Sequence, residues 1–279
     1  MAHDHWMRSS TRSSKSLEHD HDEAYRRPQA YRTTRTDANK RADSMTSSPD
    51  PDNVGDYLIS SRSFHEYEAM FSLTDRDLCG RVLDCPGGAS SFTVEASGLE
   101  AHVTAVDPAY TMSGSLLKKL VMAQPDRGSA HTVAGIDRYV WAFYGDVEGH
   151  RQVRKTSAVL FARDIEVHPE RYIAASLPIL PFEDRQFDLV LSSHFLFTYA
   201  DRLDQDFHYH ALVELHRVCR REVRVFPLLD QGGHSLDDMT NAVLALLLRK
   251  GIEAKLCDVP YEFQRGGNQM LVLSSDSTS

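Results

Sequence analysis

The stretch Arg81-Val82-Leu83-Asp84-Cys85-Pro86-Gly87-Gly88-Ala89-Ser90-Ser91-Phe92 constrains the fold more than any other part of the chain. A short apolar run ends in an acid, a turn of Pro, paired Gly and small residues follows, and a helical pattern begins at Phe92 and runs to Ser97. That order predicts a buried strand, a loop that lets backbone or ligand approach closely, and a helix whose N-terminus faces the loop. A second apolar run, His102-Val103-Thr104-Ala105-Val106, ends at Asp107. An acid about twenty residues past the glycine turn, at the tip of the second strand of a β-α-β unit, is placed to grip a ribose diol. The unit therefore reads as a site for a nucleotide-type cofactor.

Downstream, Met112 to Met122 reads as a helix, and Ala123 to Arg171 holds no strand of obvious alternation. A β-α-β crossover needs about 10–12 residues, so the excess predicts a helical cap insertion at about 123–170. Within it, Tyr139-Val140-Trp141-Ala142-Phe143-Tyr144 concentrates aromatics that either hold the insertion on the core or touch a substrate. Tyr172 to Ala175 is the third expected strand and Phe187 to Ser193 the fourth, its apolar centre suited to cover on both faces. Asp206 to Arg220 is an expected helix, Val223 to Phe226 a strand stopped by Pro227, and Leu236 to Lys250 a helix closed by Gly251. Ala254 to Phe263 and Gln269 to Leu273 read as an antiparallel hairpin. Upstream, Tyr57, Phe64, Tyr67, Met70 and Phe71 recur at helical steps, and Thr74 with Asp77 forms a capping-box variant. The whole predicts an α/β fold: a Rossmann-like, doubly wound, mostly parallel seven-stranded sheet with a terminal antiparallel hairpin and a helical insertion.

Residues 1–52 differ in composition, being rich in Ser, Thr, Arg, Asp and His with few aliphatics. They are expected to form a disordered tail ahead of one domain spanning 53–279. The pairs His3-Asp4-His5 and His19-Asp20-His21-Asp22 have no fixed geometry with which to hold a metal. A formal charge of −9 argues against a nucleic-acid partner held through phosphates. Cys79, Cys85, Cys219 and Cys257 show no metal or disulfide spacing, which fits a reducing cytoplasm. No run is long enough to span a bilayer (about 18 apolar residues).

This order of elements resembles the class I S-adenosylmethionine-dependent methyltransferases, in their small-molecule branch, from about Tyr57 to Leu273. Four stretches carry it: Val82 to Ser90 as the acid and glycine loop, Thr104 to Asp107 as the second-strand acid, Leu180-Pro181-Phe182-Glu183-Asp184-Arg185-Gln186-Phe187-Asp188-Leu189-Val190, and Glu214-Leu215-His216-Arg217-Val218. The loop departs from the family's D-x-G-x-G-x-G, with Pro86 and Ser90 at the outer glycine positions and Gly88 at the central one. The resemblance implies transfer of a methyl group from S-adenosylmethionine to a small or medium organic acceptor. It implies that Asp84, Pro86, Gly87, Gly88, Asp107, Pro108, Ser176, Leu177 and Ser193 contact the cofactor. His194 is the candidate general base, with Tyr199 and Asp201 behind it, and the alternative for His194 is a packing or capping role. His208, His210 and His216 do not converge, so no metal is expected. Two other functions stay open: a nicotinamide-dependent oxidoreductase, although no G-x-G-x-x-G is present, and a non-catalytic module that binds the cofactor.

Overall fold

The computed structural model describes residues 57–275, so the expected tail and its His-Asp pairs lie outside the described residues. Seven strands form one sheet: β1 (Arg81–Asp84), β2 (His102–Val106), β3 (Tyr172–Ile173), β4 (Phe187–Ser193), β5 (Cys219–Phe226), β6 (Glu253–Asp258) and β7 (Gln269–Ser274). Their spatial order is β3-β2-β1-β4-β5-β7-β6. The first five are parallel and β7 enters antiparallel between β5 and β6. This is the expected Rossmann-like sheet with its antiparallel end. The order reverses between β1 and β4, and at such a switch point the loops leaving the strands' carboxyl ends part to make a crevice.

Alternation along the central strands explains why both faces are covered. Leu83, Val190 and Val223 pack on α6 (Gln205–Val218) and α7 (Asp237–Arg249) through Leu212, Leu215, Val243 and Leu247. Val82, Leu189 and Leu191 face the other way, onto Tyr67, Met70 and Phe71 of α1 (Phe64–Phe71) and Phe92 of α3 (Phe92–Gly98). Period-two side chains buried on both sides make a dry central β1–β4 pair, with Val82, Leu83 and Val190 fully inaccessible.

Several boundaries differ from expectation. The helix expected from Tyr57 starts only at Phe64, because Ser63 and Glu66 form a reciprocal capping box that stops it. Tyr57 to Arg62 instead run without regular structure across the sheet's carboxyl edge. Thr74 and Asp77 do cap a four-residue turn, α2 (Asp75–Leu78), with the Asp77 carboxylate accepting from the Thr74 N–H and hydroxyl. The helix expected to end at Met122 continues as α4 (Gly114–Ala134) straight through Pro125. Pro125 is buried, and packing there outweighs the hydrogen bond that proline removes. Much of the remaining interval is α5 (Val147–Val167), which packs Ala158 and Phe161 against Leu117 and Val121 of α4. The first hairpin strand stops at Asp258 rather than Phe263, since Pro260 has no N–H for the ladder. Residues 259–268 instead return over the crevice and bring Tyr261 and Phe263 with them. The third strand is only two residues long at the sheet edge, cut short by the turn that pairs Ser176 with Ile179. Among the described residues no helix is long and apolar enough to cross a membrane.

Candidate active site

Two neighbouring regions lie at the carboxyl edge, separated by the segment from Leu58 to Arg62. The first is the glycine loop. Asp84 ends β1 with no solvent exposure, and both of its oxygens accept from the Tyr67 hydroxyl at 2.9 and 3.1 Å. Asp107 accepts from the Gly88 N–H at 3.1 Å and the Ala109 N–H at 2.8 Å. Gly87 anchors the loop by donating its N–H to Val106 at 2.8 Å. Gly88 has φ of +54°, and a Cβ there would come within 2.8 Å of the Ser60 carbonyl oxygen, so only glycine is comfortable at this position. Burial holds Asp84 well above the usual carboxylate range, with nearby Asp107 adding to the effect against the Tyr67 bond. Burial also pushes Asp107 up to about 6, against its two backbone bonds. Neither acid has a cation among the groups that shift it.

The loop's inward-facing groups are engaged by the chain itself. The Ala89 N–H donates to Ser60 and the Ser91 N–H to Arg62, both at 2.9 Å, while the Tyr110 hydroxyl donates to the Gly88 carbonyl at 2.8 Å. The Leu58–Arg62 segment is tied down on its other side as well. The Leu58 N–H donates to the Tyr199 hydroxyl, and Ser61 exchanges hydrogen bonds with Arg154 of α5.

Beyond that segment lies the second region, a cavity of about 140 Å³. Its wall includes Arg62, His150, Arg154, His194, Tyr261 and Phe263. The charge of its two arginines is balanced in part by Glu66, which is fully buried on α1 behind them. Glu66 accepts from Arg154 at 2.6 Å, from the Tyr144 hydroxyl at 2.5 Å, and from Arg62 at a longer 3.5 Å. Burial alone would raise the Glu66 carboxyl, but Arg154 and Arg62 together hold it down at about 2. The converse pressures act on the cations: burial and Arg154 lower Arg62, while Glu66 overcomes burial to raise Arg154. His150 is driven to about 2 by burial and by Arg154, so its ring is neutral at pH 7.

Among the residues singled out by sequence, Asp84, Gly87, Gly88 and Asp107 come together around the first region, and His194 and Tyr199 line the second. Pro86 sits in the turn after β1, and Pro108 opens the 3-10 turn that Asp107 caps. Leu177 is buried in the core with Val106, whereas Ser176 beside it is exposed. Ser193 ends β4 and pairs its Oγ with His194 Nδ1 at 2.9 Å. His194 has φ of +49°, pinned by its N–H bond to Phe226 at 2.7 Å, and burial beside Arg62 and Arg154 keeps it well below the usual imidazole range. A non-glycine residue in this region is strained and persists only where its surroundings hold it, as the Phe226 bond does here. Tyr199 is raised by burial and holds Leu58. Asp201 is turned to Arg202 at 2.7 Å and to Gln231. Arg62, Glu66 and Tyr67 carry more of the local electrostatics than their sequence context suggests. The one local signal for Glu66 is its spacing from Ser63 in the capping box.

No protein-family model matches the chain. An uncharacterized protein of Methanocaldococcus jannaschii is 27% identical over 223 residues, spanning 79% of this chain and 97% of the relative. Among solved structures, a magnesium protoporphyrin IX methyltransferase of Synechocystis PCC 6803 with bound S-adenosylmethionine aligns at 11% identity. It covers 71% of this chain and 70% of its own, with a TM-score of 0.38. A possible histamine N-methyltransferase of Thermotoga maritima aligns at 14% identity over 76% of this chain and 87% of its own, with a TM-score of 0.37.

Proposed function

We propose that the protein binds S-adenosylmethionine at the Asp84–Asp107 edge and transfers its methyl group to an organic acceptor held in the adjoining cavity. One observation carries this reading: two buried carboxylates flank a glycine turn at the sheet's switch point, and among the described residues no cation acts on either of them. Such a pair is costly in isolation and becomes favourable with a cationic ligand. S-adenosylmethionine carries a sulfonium and an ammonium and supplies an already activated methyl group. Asp107 would accept from a ribose diol, Asp84 would face the ammonium, and Gly87 and Gly88 would keep side chains out of the way. The close approach at Gly88 is occupied by the Ser60 carbonyl. Binding therefore exchanges the Ser60, Arg62 and Tyr110 contacts on the loop for ligand contacts.

On the acceptor side, the chain supplies orientation and exclusion of water. His194 is neutral, and with Nδ1 engaged by Ser193 its Nε2 is the ring nitrogen that would meet an acceptor. Its depressed basicity suits holding an acceptor in line better than removing a strongly held proton. In-line positioning, with effective molarities of 10⁵ M or more, supplies most of the rate.

A specific observation favours a second reading, a non-catalytic binding module: the loop N–H groups of Gly88, Ala89 and Ser91 are all satisfied within the chain. Calorimetric titration of the full chain with S-adenosylmethionine, S-adenosylhomocysteine and NADH tests these readings. Heat with the two sulfur ligands and none with NADH is expected. No heat with either sulfur ligand overturns the proposal, and heat only with NADH moves the protein to the oxidoreductases. Tight binding without turnover over a broad acceptor panel selects the module.

A further inference from the structure

The cavity wall has more positive than negative charge. Glu66 offers one carboxylate to two guanidiniums, Arg62 and Arg154, while His150 and His194 stay neutral. Asp201, near the rim, is ion-paired outward with Arg202. Among the described residues, one positive charge is left uncompensated beside the cavity.

Hydrogen-bonding capacity is left over in the same wall. Arg62 Nε, His150 Nδ1, Thr198 Oγ1 and Gln124 Oε1 are buried without a partner among the described residues, and all four residues line this cavity. His150 Nε2 accepts from Arg154 Nε at 3.2 Å, which places the proton of the neutral ring on Nδ1. Arg62 Nε–H, His150 Nδ1–H and the Thr198 hydroxyl are therefore donors, and Gln124 Oε1 is an acceptor. A buried donor without a partner is costly, and folded proteins keep few of them. Three of these four groups are donors, on residues that wall one cavity, an excess that suits an anion better than a cation.

The rest of the lining is aromatic. Tyr139 stacks on Phe263 with ring centroids 4.7 Å apart, and Tyr261 meets Phe226 edge-on at 5.7 Å. Flat apolar walls favour a flat apolar body. A volume of about 140 Å³ is close to the ~150 Å³ known to admit one benzene ring.

We propose that the cavity binds a monoanionic organic carboxylate carried on a single planar ring, with Arg62 as its charge partner and His150 and Thr198 as additional donors. That this ligand is also the methyl acceptor rests on the function proposed above; its binding does not.

The test is calorimetric titration of the full chain, without S-adenosylmethionine, with benzoate and phenylacetate and with their uncharged counterparts benzamide and phenylacetamide. The carboxylates should bind at least tenfold tighter than the amides, and Arg62→Gln should abolish that preference. Thr198→Val, which keeps shape and charge, should weaken the carboxylates severalfold. Should Arg62→Gln fail to fold, the side-chain Nε–H resonance of Arg62 in the unaltered protein should shift on adding phenylacetate. Equal affinity for acid and amide, no binding at millimolar concentration, or an Arg62 resonance that stays put overturns the proposal. A separate titration with S-adenosylmethionine reports on the cofactor reading alone, so either can fail without the other.

Discussion

Glu66 and the Asp84–Asp107 pair are buried carboxylates on opposite sides of the Leu58–Arg62 segment, and their protonation behaviour is opposite. Glu66 is held near 2 by Arg154 and Arg62, whereas Asp107 is pushed up to about 6 and Asp84 higher than its usual range by burial. Desolvation raises all three. Among the described residues, cations come close enough to reverse the effect at Glu66 alone, and Coulomb attraction strengthens as water is removed. Within one edge of the sheet, then, one region holds two acids with no described cation beside them, and the next holds two guanidiniums on one carboxylate. On the function proposed above, the first region takes the charged methyl donor and the second its acceptor.

The comparison breaks most visibly at Glu66. Glu66→Gln leaves two guanidiniums buried without their acid and should cost about 3–5 kcal/mol, measured by urea unfolding. The pH dependence carries the sign: the Glu66 contribution is full above its unfolded value near 4.5 and fades as pH falls toward 2. Asp107 acts the other way, since its raised value favours the protonated form and costs stability as pH climbs from about 4 to about 6. An acid-unfolding curve unchanged by Glu66→Gln would contradict the buried ion triad.

On the acidic side, Asp107→Ala should weaken S-adenosylmethionine roughly tenfold or more through lost charge-assisted hydrogen bonds, read as a dissociation constant. An unchanged constant would remove Asp107 from the site. In the unaltered protein, affinity for the same ligand should fall about tenfold between pH 7 and pH 5, because Asp107 protonates near 6 and ligand binding favours its charged form. A flat profile would show that the ligand does not sense this carboxylate. The smallest effect is expected at the border between the regions. Gly88→Ala places a methyl group against the Ser60 carbonyl at a φ of +54° and should cost about 1–2 kcal/mol, seen as a lowered unfolding midpoint. Equal stability would mean that the Leu58–Arg62 segment does not lie on the loop.

Much of the architecture was legible because it depends on local pattern. Val82-Leu83-Asp84 before a glycine turn, the apolar centre of Phe187 to Ser193, and the hairpin signals after Gly251 each specify an element through its own periodicity and punctuation. Boundaries were read less well where a distant partner overrode a local rule. Pro125 stays inside α4 because its ring is buried, and Tyr57 leaves the first helix because Ser63 and Glu66 cap it. Within the candidate site, acids at strand ends were visible, since a strand's carboxyl tip is a fixed address in this kind of sheet. Arg62, Glu66 and Arg154 were not, because their spacing carries no hint that helices α1 and α5 bring them together.

By itself, then, the sequence determined the stretch from Arg81 to Phe92 as strand, glycine turn and helix, and Asp107 as the acid across from it. Backbone conformation and apolar periodicity are properties of near neighbours. Only the tertiary structure decided that the Leu58–Arg62 segment lies on that turn and divides two buried acids from a cavity walled by arginines. Charge sign at a buried point is a sum over groups far apart in the chain, and burial multiplies whatever that sum is.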